Sequence, residues 1–222
     1  MNSRKAILNP RLYRGASMDA RRSERRQSLI EAGVAVYGSE GYHNATVRGI
    51  CAEAGLTERY FYESFENSEA LLSAAYEYLI EQLNQRMLAA IDTAPRQPEA
   101  MALAALRTYF EYNRDPRVAR ILFAEVLGVS PHVDQLYRSA MQRFAHLIGS
   151  LGKGALGSAA TPGIDEELIA SGLVGAAVQI AMNWALGGYK KPIEEVVAST
   201  HAIYVAVVHQ RQAGAISPQQ AR

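Results

Sequence analysis

Residues 46–65, TVRGICAEAGLTERYFYESF, decide the fold, because they place two short helical patterns on either side of one turn. Thr46 offers a hydroxyl as an N-cap, and Val47, Ile50, Cys51 and Ala54 then fall on one side of a short helix. Gly55 supplies the positive φ of a tight turn. Thr57 caps a second short helix, whose Phe61 and Phe65 return to the same core with Leu56. Glu58, Arg59, Tyr60, Tyr62 and Glu63 are left facing outward or sideways. Such a pair is a helix-turn-helix, and its second helix is of a kind that enters a major groove. A helix N-terminus with free N–H groups beside a threonine hydroxyl also suits a phosphate.

The helical period continues on both sides. Leu29, Ile30, Val34, Val36 and Tyr37 recur at three- and four-residue intervals between Asp19 and Ser39, and Gly41 stops that helix. Asn67 can cap a fourth, longer helix through Leu71, Leu72, Ala75, Leu79, Leu83 and Met87 to about Ile91. Proline and Asp-Pro breaks then set off helices over 98–113, 117–127, 131–151, 164–186 and 192–213, with a flexible Gly/Ala/Ser-rich loop over 152–163. The spacing predicts an all-α protein: a three-helix N-terminal unit joined by a long helix to a larger bundle. Its divisions are a flexible basic arm over 1–18, a helix-turn-helix domain over 19–66 and a ligand-binding and dimerisation domain over 67–222.

Composition narrows the classes further. With 222 residues, 49% of them hydrophobic, and one cysteine, the chain has material for a real core and none for an internal disulfide or a cysteine zinc site. A reducing, cytoplasmic compartment is expected. Met1–Arg26 offers no apolar run beyond Ala6-Ile7-Leu8, so no secretory signal is read there. The uncharged run from Leu168 to Tyr189 is long enough to span a bilayer, but Ser171, Gln179, Asn183 and its glycines read better as a helix buried by protein. The net charge of +1 conceals a basic start: residues 1–26 carry eight basic side chains against two acidic ones, whereas 27–70 carry two against seven. A basic leading segment is the footprint of a polyanionic partner.

From Arg25 to Leu72 the sequence resembles the N-terminal domain of the tetracycline-repressor (TetR) family. The resemblance rests on Gly41-Tyr42, Ala45 to Ile50, Ala54 to Thr57, Phe61-Tyr62, Phe65 and Ser68 to Leu71. It implies a homodimeric transcriptional regulator, usually a repressor, that binds a palindromic double-stranded DNA operator. An effector in the C-terminal bundle would shift the fourth helix and change the spacing of the recognition helices. Carried over, Thr46, Thr57 and Tyr62 contact phosphates, while Arg48, Arg59 and Tyr60 are candidates for base edges or nearby backbone. Arg21, Arg22, Arg25 and Arg26 add backbone or minor-groove contacts. Two positions depart from the family pattern: Ser68 replaces a common lysine, and Glu58 stands where a basic residue is frequent. Acidic groups beside phosphates weaken the attraction and move affinity to the arm.

In the bundle, Tyr109, Phe110, Phe123, Tyr137, Met141, Phe144, Asn183 and Trp184 are the candidate ligand-binding residues, with Gln142, His146 and Gln179 as further polar handles. As a set they favour a small, largely apolar effector. Gly172, Gly175, Ala176, Gln179 and Tyr204 are candidates for the dimer interface, since small residues let another helix approach closely. Cys51 reads as packing, and neither the five histidines nor any carboxylate spacing implies a metal, a cofactor or a catalytic set. The rival reading is a protein of this fold that binds ligands or partners and has weakened or lost operator binding, motivated by Glu58, Glu63 and Ser68.

Overall fold

The computed structural model describes residues 10–156 and 164–216, and every regular element among them is helical. The helices are α1 (Pro10–Glu40), α2 (Val47–Glu53), α3 (Glu58–Ser64), α4 (Ser68–Thr93), α5 (Pro98–Tyr112), α6 (Pro116–Arg120), α7 (Pro131–Leu156), α8 (Glu166–Leu186) and α9 (Ile193–Ile216). The chain divides into two compact units, Met1–Ala75 and Tyr76–Arg222.

In the first unit α1 packs on α2 and α3. Their shared core holds Leu29, Tyr37, Ile50, Cys51, Phe61 and Phe65, with Leu71 from the start of α4. The local causes are those read from the sequence at most positions. Gly41 ends α1 at φ 90°, and Gly55 turns between α2 and α3 at φ 65°. The Thr46 hydroxyl accepts from the Gly49 amide at 3.0 Å, and the Asn67 side chain accepts from the Ala70 amide at 2.8 Å. Thr57 differs. Its backbone is extended at the start of α3, but its hydroxyl makes no capping bond.

In the second unit α7 packs on α8, α5 on α9, and α8 on α9. Its core is apolar and aromatic, with Phe110, Ile121, Val126, Val133 and Val197 essentially inaccessible. Three expectations need correction. Residues 10–18, expected in a flexible arm, are the first turns of α1; residues 1–9 lie outside the described residues. Residues 152–156, expected at the start of a loop, are the last turn of α7; the rest of that expected loop, 157–163, lies outside the described residues. The single helix expected over 117–127 is a short α-helix followed by a π-helical turn, Ile121–Glu125. Arg120 Nε pairs with Glu125 Oε1 at 2.7 Å, a five-residue spacing that matches the π period.

Candidate nucleic-acid interface and ligand cavity

α2 and α3 present one exposed polar face in the first unit. Arg48 and Thr57 are exposed, and Tyr62 stands out from the surface with its ring edge-on to the buried Phe61. Arg59 is 83% exposed in its side chain, and its Nε donates to Glu63 Oε1 at 2.9 Å along the same helix. Thr46 is exposed although its hydroxyl serves the cap. Glu58, unusual beside a phosphate, occupies the first turn of α3, where a carboxylate suits the helix dipole.

The basic side chains of α1 are less free than their charge pattern suggested. The Arg22 guanidinium donates to the Glu63 carbonyl at 3.1 Å, satisfying one of the unpaired carbonyls at the end of α3. Arg25 lies 4.5 Å over the ring of half-buried Tyr60, and Arg26 lies 4.7 Å over the ring of Phe65. Arg21 is exposed and lines a surface cleft with Met18, Asp19, Arg22, Arg25 and Glu63. Three arginines of the expected arm therefore brace the second helix of the motif. The role of Arg26 against Phe65 was missed, although its spacing from Arg22 placed both on one face of α1. Ser68 carries no charge, but its carbonyl accepts the hydroxyl of buried Tyr37 at 3.1 Å. Cys51 is buried, and burial followed by the nearby Glu58 pushes its thiol pKa up.

The second unit contains a cavity of about 140 Å³ walled by α4, α5, α7, α8 and α9. Of the expected ligand residues, Tyr109, Phe123, Tyr137, Met141 and Phe144 line it. Phe110, Trp184 and Asn183 do not. Phe110 is one residue from Tyr109 and so points about 100° away around α5; its ring is edge-on to Trp184, at 6.0 Å between centroids. Trp184 follows Ala177 of the wall by seven residues, the same face of α8 but roughly 10 Å further along it. There its indole donates to the Lys191 carbonyl at 2.9 Å and meets Tyr189 edge-on. Asn183 is exposed and accepts from Gln179, and Gln142 and His146 are exposed too.

Tyr204, expected at the dimer interface, is buried instead; it lines the cavity and donates to the Leu173 carbonyl at 3.1 Å. Tyr76 and His201 also line the cavity and were not singled out from the sequence. Tyr76 lies one helical turn after Leu72, a spacing that fits a packed core as well as a cavity wall. Burial pushes the phenols of Tyr76, Tyr109 and Tyr204 far above their ordinary pKa. Gly172 and Gly175 are exposed, and a Cβ at either would meet nothing within 4 Å. Ala176 is half-buried and Gln179 exposed.

Comparison with known proteins agrees with this division. Residues 29–75 match the family model of bacterial regulatory proteins of the tetR family. The fatty acid metabolism regulator protein of Bacillus subtilis is 21% identical over 184 residues, covering 82% of this chain and 95% of the relative. The HTH-type transcriptional regulator BetI of Yersinia pestis is 31% identical over 117 residues, which are 51% of this chain and 58% of that protein. Among solved structures, FadR of Bacillus subtilis in complex with stearoyl-CoA superimposes with a TM-score of 0.71 at 18% identity, covering 80% of this chain and 96% of that one. FadR of Bacillus halodurans gives 0.70 at 19% identity, covering 81% and 93%. At these identities the structural likeness establishes the fold.

Proposed function

We propose that this chain, which belongs to the tetR family of bacterial regulatory proteins, is a cytoplasmic homodimeric repressor that binds a palindromic operator and is released by an apolar effector of acyl type. The observation that carries the reading is that an exposed helix-turn-helix face in the first unit and an apolar cavity in the second belong to one chain in which α4 contributes residues to both units. That helix gives Leu71 to the core of the first unit and Tyr76, Ile80, Leu83 and Met87 to the cavity wall of the second. A ligand that binds one position of those cavity residues better than another biases α4 by its differential affinity. Arg48, Thr57, Arg59 and Tyr62 are the proposed DNA contacts with Thr46 and Arg21, while Arg22, Arg25 and Tyr60 hold α3 at the correct angle. The acyl assignment draws on the Bacillus subtilis relatives, one named for fatty acid metabolism and one solved with stearoyl-CoA.

The dimer face is proposed on α8 and α9. α8 is long and apolar enough to cross a membrane by length and composition. Its outward Leu168 and Leu186 are 71% and 81% exposed, and small or polar Gly172, Gly175 and Gln179 lie between them. A second copy covers such a face without the cost of placing Gln179 and Asn183 in hydrocarbon.

The test is fluorescence anisotropy of purified protein with labelled DNA from upstream of its own gene, against scrambled DNA, at low and near-physiological salt. Tight binding to the upstream DNA that survives the higher salt and falls on addition of a long-chain acyl-CoA is expected. Equal, salt-sensitive binding to both DNAs, repeated after selection from random sequence, favours the second reading, a ligand-binding protein without an operator. Glu58 and the Arg59–Glu63 pair are the observations behind it.

A further inference from the structure

Five tyrosines are buried in the described residues, and their hydroxyls divide into two groups. Tyr37, Tyr112 and Tyr204 each donate to a backbone carbonyl, those of Ser68, Leu79 and Leu173, at 3.1 Å. The hydroxyls of Tyr76 and Tyr109 are buried and have no partner among protein atoms. These two residues are 1% and 9% exposed, and both belong to the cavity wall. A buried donor without a partner destabilises the fold, so two on one cavity need a reason. Tyr76, Tyr109, Tyr137 and Tyr204 all belong to the lining of this cavity, whose wall is otherwise largely apolar, and burial first and then the other three phenols push Tyr109 up. At neutral pH the shifted phenols keep their protons and serve as donors.

The charges around the cavity restrict what these donors receive. Glu99, Glu166 and His201 are the charged or titratable lining residues besides tyrosine, and no lysine or arginine is among the lining residues described. His201 is engaged through Nε2 with the Glu99 carbonyl at 2.9 Å. Arg143, whose field reaches Tyr76, is exposed and outside the wall. Glu99 pairs with His209 at 3.2 Å, and among the described lining residues a carboxylate in this cavity would meet no lysine or arginine to offset its desolvation.

We propose that Tyr76 and Tyr109 are the polar recognition point of the cavity. They donate to the carbonyl oxygen of a ligand whose enclosed part is uncharged and otherwise apolar, which the site prefers to hydrocarbons and free carboxylates. A carbonyl oxygen has two lone pairs and takes both donors. Esters, thioesters and ketones of medium or long chain are the matching class. This inference rests on the reading of the cavity as the effector site.

The test uses the full-length protein and N-phenyl-1-naphthylamine, a neutral fluorophore without a carbonyl. The competitors are valerophenone, pentylbenzene and 5-phenylpentanoate, which are alike in size and differ in the polar group. In the Tyr76→Phe/Tyr109→Phe protein, valerophenone is expected to lose about tenfold in affinity while pentylbenzene changes by less than about twofold. In the unsubstituted protein 5-phenylpentanoate is the weakest competitor. The melting temperature of each ligand-free single variant equals or exceeds that of the parent, because substitution removes an unpaired buried hydroxyl. Valerophenone binding that is indifferent to the double substitution, or a variant that melts several degrees lower, overturns the proposal while leaving the cavity a ligand site. A fluorophore that fails to enter the parent protein overturns the effector-site reading and this inference with it.

Discussion

Glu63 stands four residues after Arg59 on the outward face of α3, and the two side chains meet at 2.9 Å in solvent. An exposed pair of this spacing is worth about 0.3–0.5 kcal/mol, too little to hold Arg59 away from a guanine that offers two acceptors. On the proposed DNA face the Glu63 carboxylate would lie near the phosphate backbone and repel it. Glu63→Gln is therefore expected to tighten operator and scrambled DNA alike at low salt, with the difference shrinking as salt rises, and to change thermal stability very little. Arg59→Ala should instead cost about 1–3 kcal/mol on the operator and relax preference at one base pair, measured by anisotropy on a panel of single-base operator variants. Unchanged affinity in both would remove α3 as the reading helix. At this scale the sequence disclosed position better than contact. Thr46 and Asn67 are caps because each side-chain oxygen reaches the amide three residues on. Thr57 has the same neighbourhood in sequence, but its hydroxyl makes no such bond, since side-chain torsion rather than spacing decides where it points. That leaves the hydroxyl available to an incoming phosphate.

At the level of elements, α1 is the part whose role the charge pattern hid. A run of arginines gives the sign of a partner and not its identity, and here α3 and the residue after it take up three of the side chains expected to meet DNA. Arg22 takes the Glu63 carbonyl, and Arg25 and Arg26 cover aromatic rings. The four arginines should consequently separate on substitution. Arg21→Ala is expected to reduce the salt slope of DNA binding by about one, with sequence preference and stability unchanged. Arg25→Ala should lose about 0.5–1 kcal/mol of folding stability from the ring contact, read by chemical denaturation, and weaken discrimination by loosening Tyr60. Equal behaviour of the two variants would mean that α1 acts only as a diffuse positive charge. The helices themselves were legible because apolar residues at three- and four-residue spacing report the period directly. The π-helical turn at Ile121–Glu125 was not, since a shift from four to five residues over one turn leaves the same apolar residues buried.

At the scale of the whole molecule, amino-acid type revealed apolar helices but not which of their faces meet each other. Tyr109 and Phe110, or Ala177 and Trp184, are equally suited to a cavity by type, and only the rotation and length of their helices send one to the wall and the other to a packed aromatic cluster. Tyr204 went to the cavity for the same reason, whereas Gly172 and Gly175 stayed on the surface. These glycines permit a clean test of the proposed assembly. A side chain added at Gly175 touches nothing in its own chain, and replacing an exposed helical glycine stabilises the helix by up to about 1 kcal/mol. Gly175→Glu should thus fold at least as well as the parent. In a two-fold interface on this face it places a carboxylate in the contact surface twice, once from each copy. Light scattering after size exclusion is expected to report a dimer for the parent and a monomer for the variant, with circular dichroism unchanged. Operator affinity should fall with the mass, because a monomer reads one half-site where the dimer reads two. A Gly175→Glu protein that keeps the dimer mass would move the interface away from this face of α8. If it also kept operator affinity, Leu168 and Leu186 would need another partner to cover them.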